Sequence, residues 1–405
     1  MLYLAGISIS FFLCMLLLSK PGKSLADRIL AAWLFVIGVH LLFFYTFLTG
    51  KIFDHPWMLG LHFPMPLMHG PFLFLYASAL TGKFYRFTLK QALHFLPALI
   101  SYAYLLPYFL LPDEQKILVF RNRGAGYETF LAVNIFATLI SGIGYVVLTT
   151  ILHRRHRRKI LDEFSYTEKI NLDWIQYLIL GIALIWVFVL LNMDDYVFGT
   201  AVFFVLFIGY FGNKQVGIFN LGGNTPQPGP AKQPVENKPE PGQQEISATT
   251  EENTVRENEN TASVIRVDFE NNAADKKKYI KSGLSPAGAA ELHQKLTRLM
   301  ETEKTFSESE LTLTGLAKKL GTHPNYLSQV INEKEGKNFY DYINTLRTDE
   351  FKRLIANPGN QKFTLLSLAF ECGFNSKSSF NKYFKKMTGQ SPSEYVQQLQ
   401  AVAAA

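Results

Sequence analysis

Seven stretches of mostly apolar residues, each close to the length that crosses a bilayer, fill the first half of this chain. They run 2–18, 29–48, 61–80, 95–111, 129–151, 174–191 and 197–211. A helical span needs about 20 such residues. Inside lipid the backbone has no water to bond, so each stretch must satisfy its own N–H and C=O groups as a helix. The pattern predicts an all-α protein whose residues 1–221 form a seven-helix transmembrane bundle, a candidate sensor domain.

The loops between the stretches alternate in charge. Lys20, Lys23 and Arg28 follow the first stretch; Lys83, Arg86 and Lys90 follow the third; Arg154, Arg155, Arg157, Arg158 and Lys159 follow the fifth. On the opposite side stand Lys51, then Lys116, Arg121 and Arg123, and beside Asp194 and Asp195 no cation at all. Short cytoplasmic loops collect Lys and Arg. This puts the N-terminus outside, and an odd number of spans puts the C-terminus in the cytoplasm. Lys20 follows the first apolar stretch where a cleaved leader would carry its cation ahead, so residues 2–18 read as a span. The basic run His153-Arg-Arg-His-Arg-Arg-Lys159 sits at the end of the fifth stretch. Topology and attraction to anionic headgroups explain it more simply than nucleic acid does.

Polar residues inside spans usually face the bundle interior and mark functional paths. The third stretch carries Pro64, Pro66 and Pro71, which remove helix donors, and His62 and His69 seven residues apart on one helical face. With His40 of the second stretch they form a candidate membrane pocket; hydrogen-bonded packing histidines are the alternative. No carboxylate stands near them to orient a metal ligand, so no metal and no cofactor is expected. Cys14 and Cys372 lie far apart in apolar surroundings and read as buried thiols. Residues 222–278 are rich in Pro, Glu, Gln, Asn, Ser and Thr, too polar to bury a core, and are expected to be a disordered linker. A coil of that length spans about 40–45 Å, too slack to transmit a rigid twist.

Residues 279–405 change character again and repeat one local pattern. The first copy, at about 311–332, places Leu316-Ala317 before Leu320-Gly321, then a turn, then Leu327 and Ile331. The second, at about 364–387, places Leu368-Ala369 before Cys372-Gly373-Phe374, then Phe380 and Phe384. A small residue four before a glycine, a turn, and an apolar pair four apart is the signature of a helix-turn-helix. Between the copies a long amphipathic helix is expected from Phe339 to Ile355, ended by Pro358-Gly359. Such a helix is about 26 Å long, which can bring two recognition helices near the 34–36 Å repeat of B-DNA. Ser285-Pro286 marks a further helix start.

Residues from about Leu311 to Tyr395 closely resemble the AraC/XylS-type DNA-binding domain. The most specific stretch is Ala369-Phe-Glu-Cys-Gly373-Phe374-Asn-Ser-Lys-Ser-Ser-Phe380, continuing through Gly389, Pro392 and Tyr395. Together with the seven apolar stretches and the Gly-Pro-Phe-Leu-Phe-Leu-Tyr run from Gly70, the chain resembles membrane-anchored AraC-type regulators of Bacteroidetes-like bacteria. The resemblance implies Asn325, Ser328 and Gln329 as base-facing on the first recognition helix, and Lys377, Ser378, Asn381 and Lys382 on the second. Asn and Gln can bridge adenine, and Lys can donate to guanine. Lys334, Lys385 and Lys386 are suited to phosphates. His323 stands where the family often has Ser, a poorer helix cap. Arg347 is expected in a structural ion pair.

These features imply a regulator of the bacterial inner membrane that couples an envelope or membrane signal to transcription. Its expected partners are double-stranded DNA, membrane lipids, a second copy of itself, RNA polymerase, and an unknown small-molecule or envelope signal. The rival reading is a receptor or transporter whose tail binds a protein. No Walker loop, dinucleotide fingerprint, zinc-protease motif or nucleophile elbow is present, so no catalytic residue is assigned and the chain is not expected to be an enzyme.

Overall fold

The computed structural model describes residues 1–167, 172–214 and 284–404; the linker expected over 222–278 lies outside the described residues. Among the described residues every regular element is helical, and an isolated antiparallel bridge joins Phe164 to Thr312. The apolar half contains α1 (Leu2–Ser19), α2 (Leu25–Leu48), α3 (Pro66–Leu80), α4 (Leu89–Ala92), α5 (Leu96–Tyr104), α6 (Leu106–Phe109), α7 (Asp113–Arg121), α8 (Glu128–Glu163), α9 (Trp174–Leu190) and α10 (Asp194–Lys214). By length and composition, three of these, α1, α2 and α8, can cross a membrane.

Of the other apolar stretches, the third and fourth are shortened or broken by proline, the sixth falls on the 17-residue α9, and the seventh on α10. Pro66 takes the first position of α3, so the predicted span from 61 begins as turns and becomes helix only there. The fourth stretch breaks into α5 and α6, with Pro97 and Pro107 at their starts, after α4 and a 3-10 turn at Leu93–Phe95. Proline lacks the N–H that would continue the preceding helix.

Two helices are longer than the apolar stretches that announced them. α2 starts at Leu25 because Ser24 and Asp27 form a capping box, with Asp27 N–H donating to Ser24 Oγ at 3.1 Å and Ser24 N–H donating to Asp27 Oδ2 at 2.8 Å. Lys20 Nζ donates to the same Asp27 oxygen at 3.2 Å and compensates its buried charge. α8 runs on to Glu163, 36 residues in all. Nothing between Tyr145 and Glu163 is Gly or Pro, and its Arg, Lys, Leu and Glu residues favour helix. The basic run thus belongs to a rod that outlasts its apolar part. The core of this half centres on Trp33, Leu34, Leu73 and Tyr76, each nearly or fully excluded from solvent.

The C-terminal part contains α11 (Pro286–Thr302), α12 (Leu313–Lys319), α13 (Pro324–Val330), α14 (Phe339–Ala356), α15 (Leu365–Glu371), α16 (Lys377–Thr388) and α17 (Pro392–Ala404). Capping side chains start them: Ser285, Thr312, Asn338, Thr364 and Ser376 each accept a backbone N–H three residues on. α14 is shared by two cores. Phe339, Tyr342 and Ile343 pack with Leu316, Ala317, Leu327 and Ile331 of the first unit; Phe351 packs with Leu368, Phe374, Phe380 and Phe384 of the second.

Glu350 on α14 binds Arg353 Nη2 at 2.6 Å and Lys304 Nζ at 2.7 Å. Arg353, and after it Lys304, hold this carboxyl down at about 2 against the opposing effect of burial. A depressed carboxylate stabilises the fold fully above its ordinary pKa of 4.5 and loses that contribution as pH falls through about 2. Glu350→Gln in a 279–405 fragment should therefore lower the urea midpoint at neutral pH. The gap from the parent should close between about pH 4.5 and 2; a gap unchanged at pH 2 would remove the ion pairs as its cause.

Candidate nucleic-acid interface

The two units are built alike. In each, a short helix ends in a left-handed glycine, Gly321 at φ 63° and Gly373 at φ 97°, four residues after a fully buried alanine, Ala317 or Ala369. The glycine reverses the chain without a Cβ penalty, and the alanine lets the second helix cross closely. That second helix is α13 in one unit and α16 in the other.

On α16, Lys377, Ser378, Asn381, Lys382 and Lys385 are all exposed, while Phe380, Tyr383 and Phe384 are buried. The spacing sets the polar group on one face and the rings on the other. Ser376 opens the helix by accepting the Ser379 N–H at 3.1 Å. Tyr383 fixes the rotation of α16 by donating its hydroxyl to the Asp341 carbonyl at 2.8 Å. Lys386, expected on phosphate, is bound to Asp341 Oδ1 at 2.7 Å and lies over the Tyr383 ring, so it anchors α16 to α14.

On α13, Asn325 is exposed and Ser328 half-buried, but Gln329 is 7% exposed. Its amide donates to Glu333 Oε1 at 3.0 Å, so this side chain is turned inward and away from any base. Helical spacing could not reveal this. α13 is a short helix that passes into a π-helical turn at Ile331–Glu335, and Glu333, the partner that Gln329 binds, lies in that turn. Lys334 is exposed in that turn. His323 does cap the helix, its Nδ1 accepting the Asn325 N–H at 3.2 Å, so the entry of α13 is fixed despite the unusual residue.

Arg347 is 1% exposed, and among the described residues it is held by neutral acceptors where an ion pair was expected. Nε donates to the Phe306 carbonyl at 2.7 Å and Nη2 to the Glu308 carbonyl at 2.6 Å; Nη1 donates to Asn344 Oδ1 at 3.2 Å. Two further bonds reach Ser165, from Nη1 to its carbonyl at 3.2 Å and from Nη2 to its hydroxyl at 3.1 Å. Burial pulls its pKa down to about 10, which leaves it charged at neutral pH. The sequence could give no sign of this network, because its acceptors are mostly backbone.

The histidine set divides. Trp33 Nε1, a donor only, donates to His69 Nδ1 at 3.3 Å; this leaves His69 Nε2–H to donate to His40 Nδ1 at 3.1 Å. His40 and His69 thus satisfy each other and stack at 5.3 Å. His62 packs among Phe43, Phe63 and Phe120 with its Nδ1 buried and unpartnered among the described residues. A cavity of about 440 Å³ beside Phe63 and Phe120 is lined also by Tyr108, Tyr127, Arg121 and Arg123, and by none of the three histidines. Among the described residues no cluster suited to a metal ion occurs, and both cysteines are free and buried.

A family model described as a helix-turn-helix domain matches residues 316–398. The match takes in the second helix of both units, α13 and α16. The chain is 38% identical over 85 residues to the uncharacterized HTH-type transcriptional regulator YobQ of Bacillus subtilis, covering 21% of this chain and 34% of the relative. It is 32% identical over 91 residues to YtdP of the same organism, another uncharacterized HTH-type transcriptional regulator, covering 22% of this chain and 11% of that one. It is 28% identical over 92 residues to the Msm operon regulatory protein of Streptococcus mutans, covering 23% and 32%. The chain therefore spans about a third or less of the length of these relatives. No solved structure matches.

Proposed function

We propose that this protein is a membrane-bound, sequence-specific DNA-binding transcription regulator. Its helix-turn-helix domain reads DNA in the cytoplasm, and its apolar half, crossing the bacterial inner membrane seven times with the N-terminus outside, receives an envelope or membrane signal. The observation that carries the reading is the polar face of α16. Lys377, Ser378, Asn381 and Lys382 stand exposed together on a helix whose other face is locked to α14 by buried rings. Such a face is rigid enough to enter a major groove and carries the donors that groove reads. Asn325 offers a second reading position on α13. Lys385 and Lys334 are placed for phosphates, which fix register without specifying sequence. The apolar helices on the same chain motivate the membrane half of the proposal.

Alanine at Asn325 and at Lys382 should each weaken binding of the 279–405 fragment to its preferred site by about 1–3 kcal/mol, and relax base preference there. Binding to unrelated duplex should change far less. A fragment that footprints no preferred sequence at physiological salt would end the reading.

A further inference from the structure

The end of α8 does not stop at a free loop. The three residues after it, Phe164, Ser165 and Tyr166, lie on the C-terminal domain, with Phe164 paired to Thr312 in the isolated bridge. Ser165 is 1% exposed, and every polar group it has is engaged there. Its N–H donates to the Leu311 carbonyl at 3.2 Å. Its carbonyl accepts from Asn344 Nδ2 at 2.9 Å and from Arg347 Nη1 at 3.2 Å, and its hydroxyl accepts from Arg347 Nη2.

The receiving surface is made for an insertion of this kind. Arg347 and Asn344 stand one turn apart on α14, the helix that serves both units. With its remaining donors Arg347 holds the Phe306 and Glu308 carbonyls, and its guanidinium lies 6.0 Å from the Phe374 ring in the turn of the second unit. On the other side the contact touches Leu311 and Thr312, and Thr312 is the cap of the first helix of the first unit. One serine thus reaches the frame of both helix-turn-helix units.

We infer that Ser165, with Phe164 and Tyr166, is a plug that fastens the inner end of α8 to the domain's Asn344–Arg347 socket, and that this is how movement of the apolar half reaches the DNA-binding units. The inference rests on the proposed function for its purpose, though the attachment itself does not. α8 is one continuous helix from Glu128 to Glu163, so a shift or rotation at its apolar end arrives at Ser165 undiminished. The route bypasses residues 215–283 altogether.

Paired spin labels test the attachment without any knowledge of the signal. Arg158→Cys on α8 and Glu303→Cys at the end of α11 are both exposed, and Cys14 and Cys372 are buried. In the full-length protein in lipid nanodiscs, the label pair should give one narrow distance distribution. Ser165→Pro removes the N–H that binds Leu311 and distorts the insertion; it should at least double the width. Asn344→Ala, which alters the socket and leaves α8 untouched, should broaden it in the same direction. A broad distribution in the parent overturns the inference, and so does an equally narrow one in Ser165→Pro. Operator binding retained by Ser165→Pro shows that the domain is still folded, so that its broadening reports a lost plug. Absence of DNA binding by the parent would overturn the proposed function and leave the distance result standing.

Discussion

Gly373→Ala should destabilise the 279–405 fragment by about 3 kcal/mol or more, among the largest effects a single methyl group can produce. Two independent causes coincide at this position. Its φ of 97° lies where side chains with a Cβ are strained. An added Cβ would also lie 2.6 Å from the Ser307 carbonyl oxygen and 2.8 Å from that of Phe306, and both are backbone atoms that cannot rotate away. Gly321, the matching residue of the first unit, is the internal control. Its φ is 63°, but a Cβ there meets nothing within 4 Å. Gly321→Ala should cost about 1 kcal/mol, the conformational penalty alone. Urea midpoints of the two variants measure the difference. Equal losses would mean that the turn at Phe306–Ser307 yields, and that the close approach at Gly373 is not what holds the second unit.

Arg347→Ala should cost the same fragment about 3–5 kcal/mol, through a different cause. The substitution leaves the Phe306 and Glu308 carbonyls buried without a donor, at about 1–3 kcal/mol each, and opens a cavity where the guanidinium lay. Arg347→Lys should recover only a minor part, since an ammonium on a flexible stem cannot reproduce a fork that serves several acceptors at once. A loss below about 1 kcal/mol for Arg347→Ala would show that water reaches those carbonyls. In the full chain the same substitution also empties the socket for Ser165, so the label-pair distance should broaden there. The fragment and the full chain thus separate the domain's own stability from its attachment.

What could be read from the residues follows how local the physics is. The duplicated Ala-to-Gly spacing, the cap at Ser285, and the buried positions Leu316, Leu327, Phe380 and Phe384 depend on neighbours within a few turns, so spacing alone located them. The broken fourth stretch was written in Pro97 and Pro107 but hidden by the overall apolarity of 95–111. Gln329 illustrates the limit on helical faces, because its burial and its bond to Glu333 in the following π-turn depend on what packs around a short helix and not on its own spacing. Ser165 illustrates the limit on distance. It meets partners nearly 180 residues away through backbone atoms, and nothing in an unremarkable Phe-Ser-Tyr sequence announces them.

The length of α8 also sets a boundary on the chromosome. If its apolar part fills the bilayer, the stretch from His153 to Glu163 projects about 16 Å beyond it at 1.5 Å per residue. On the proposed reading, with the domain fastened at that tip, a duplex would be read only within a molecular width or two of the lipid. Loci buried in the nucleoid would then be out of reach however well their sequence fits. Occupancy would then depend on how often a gene visits the envelope, and anything that draws a locus there, such as coupled synthesis and insertion of a membrane protein encoded beside it, would raise the response without altering the affinity.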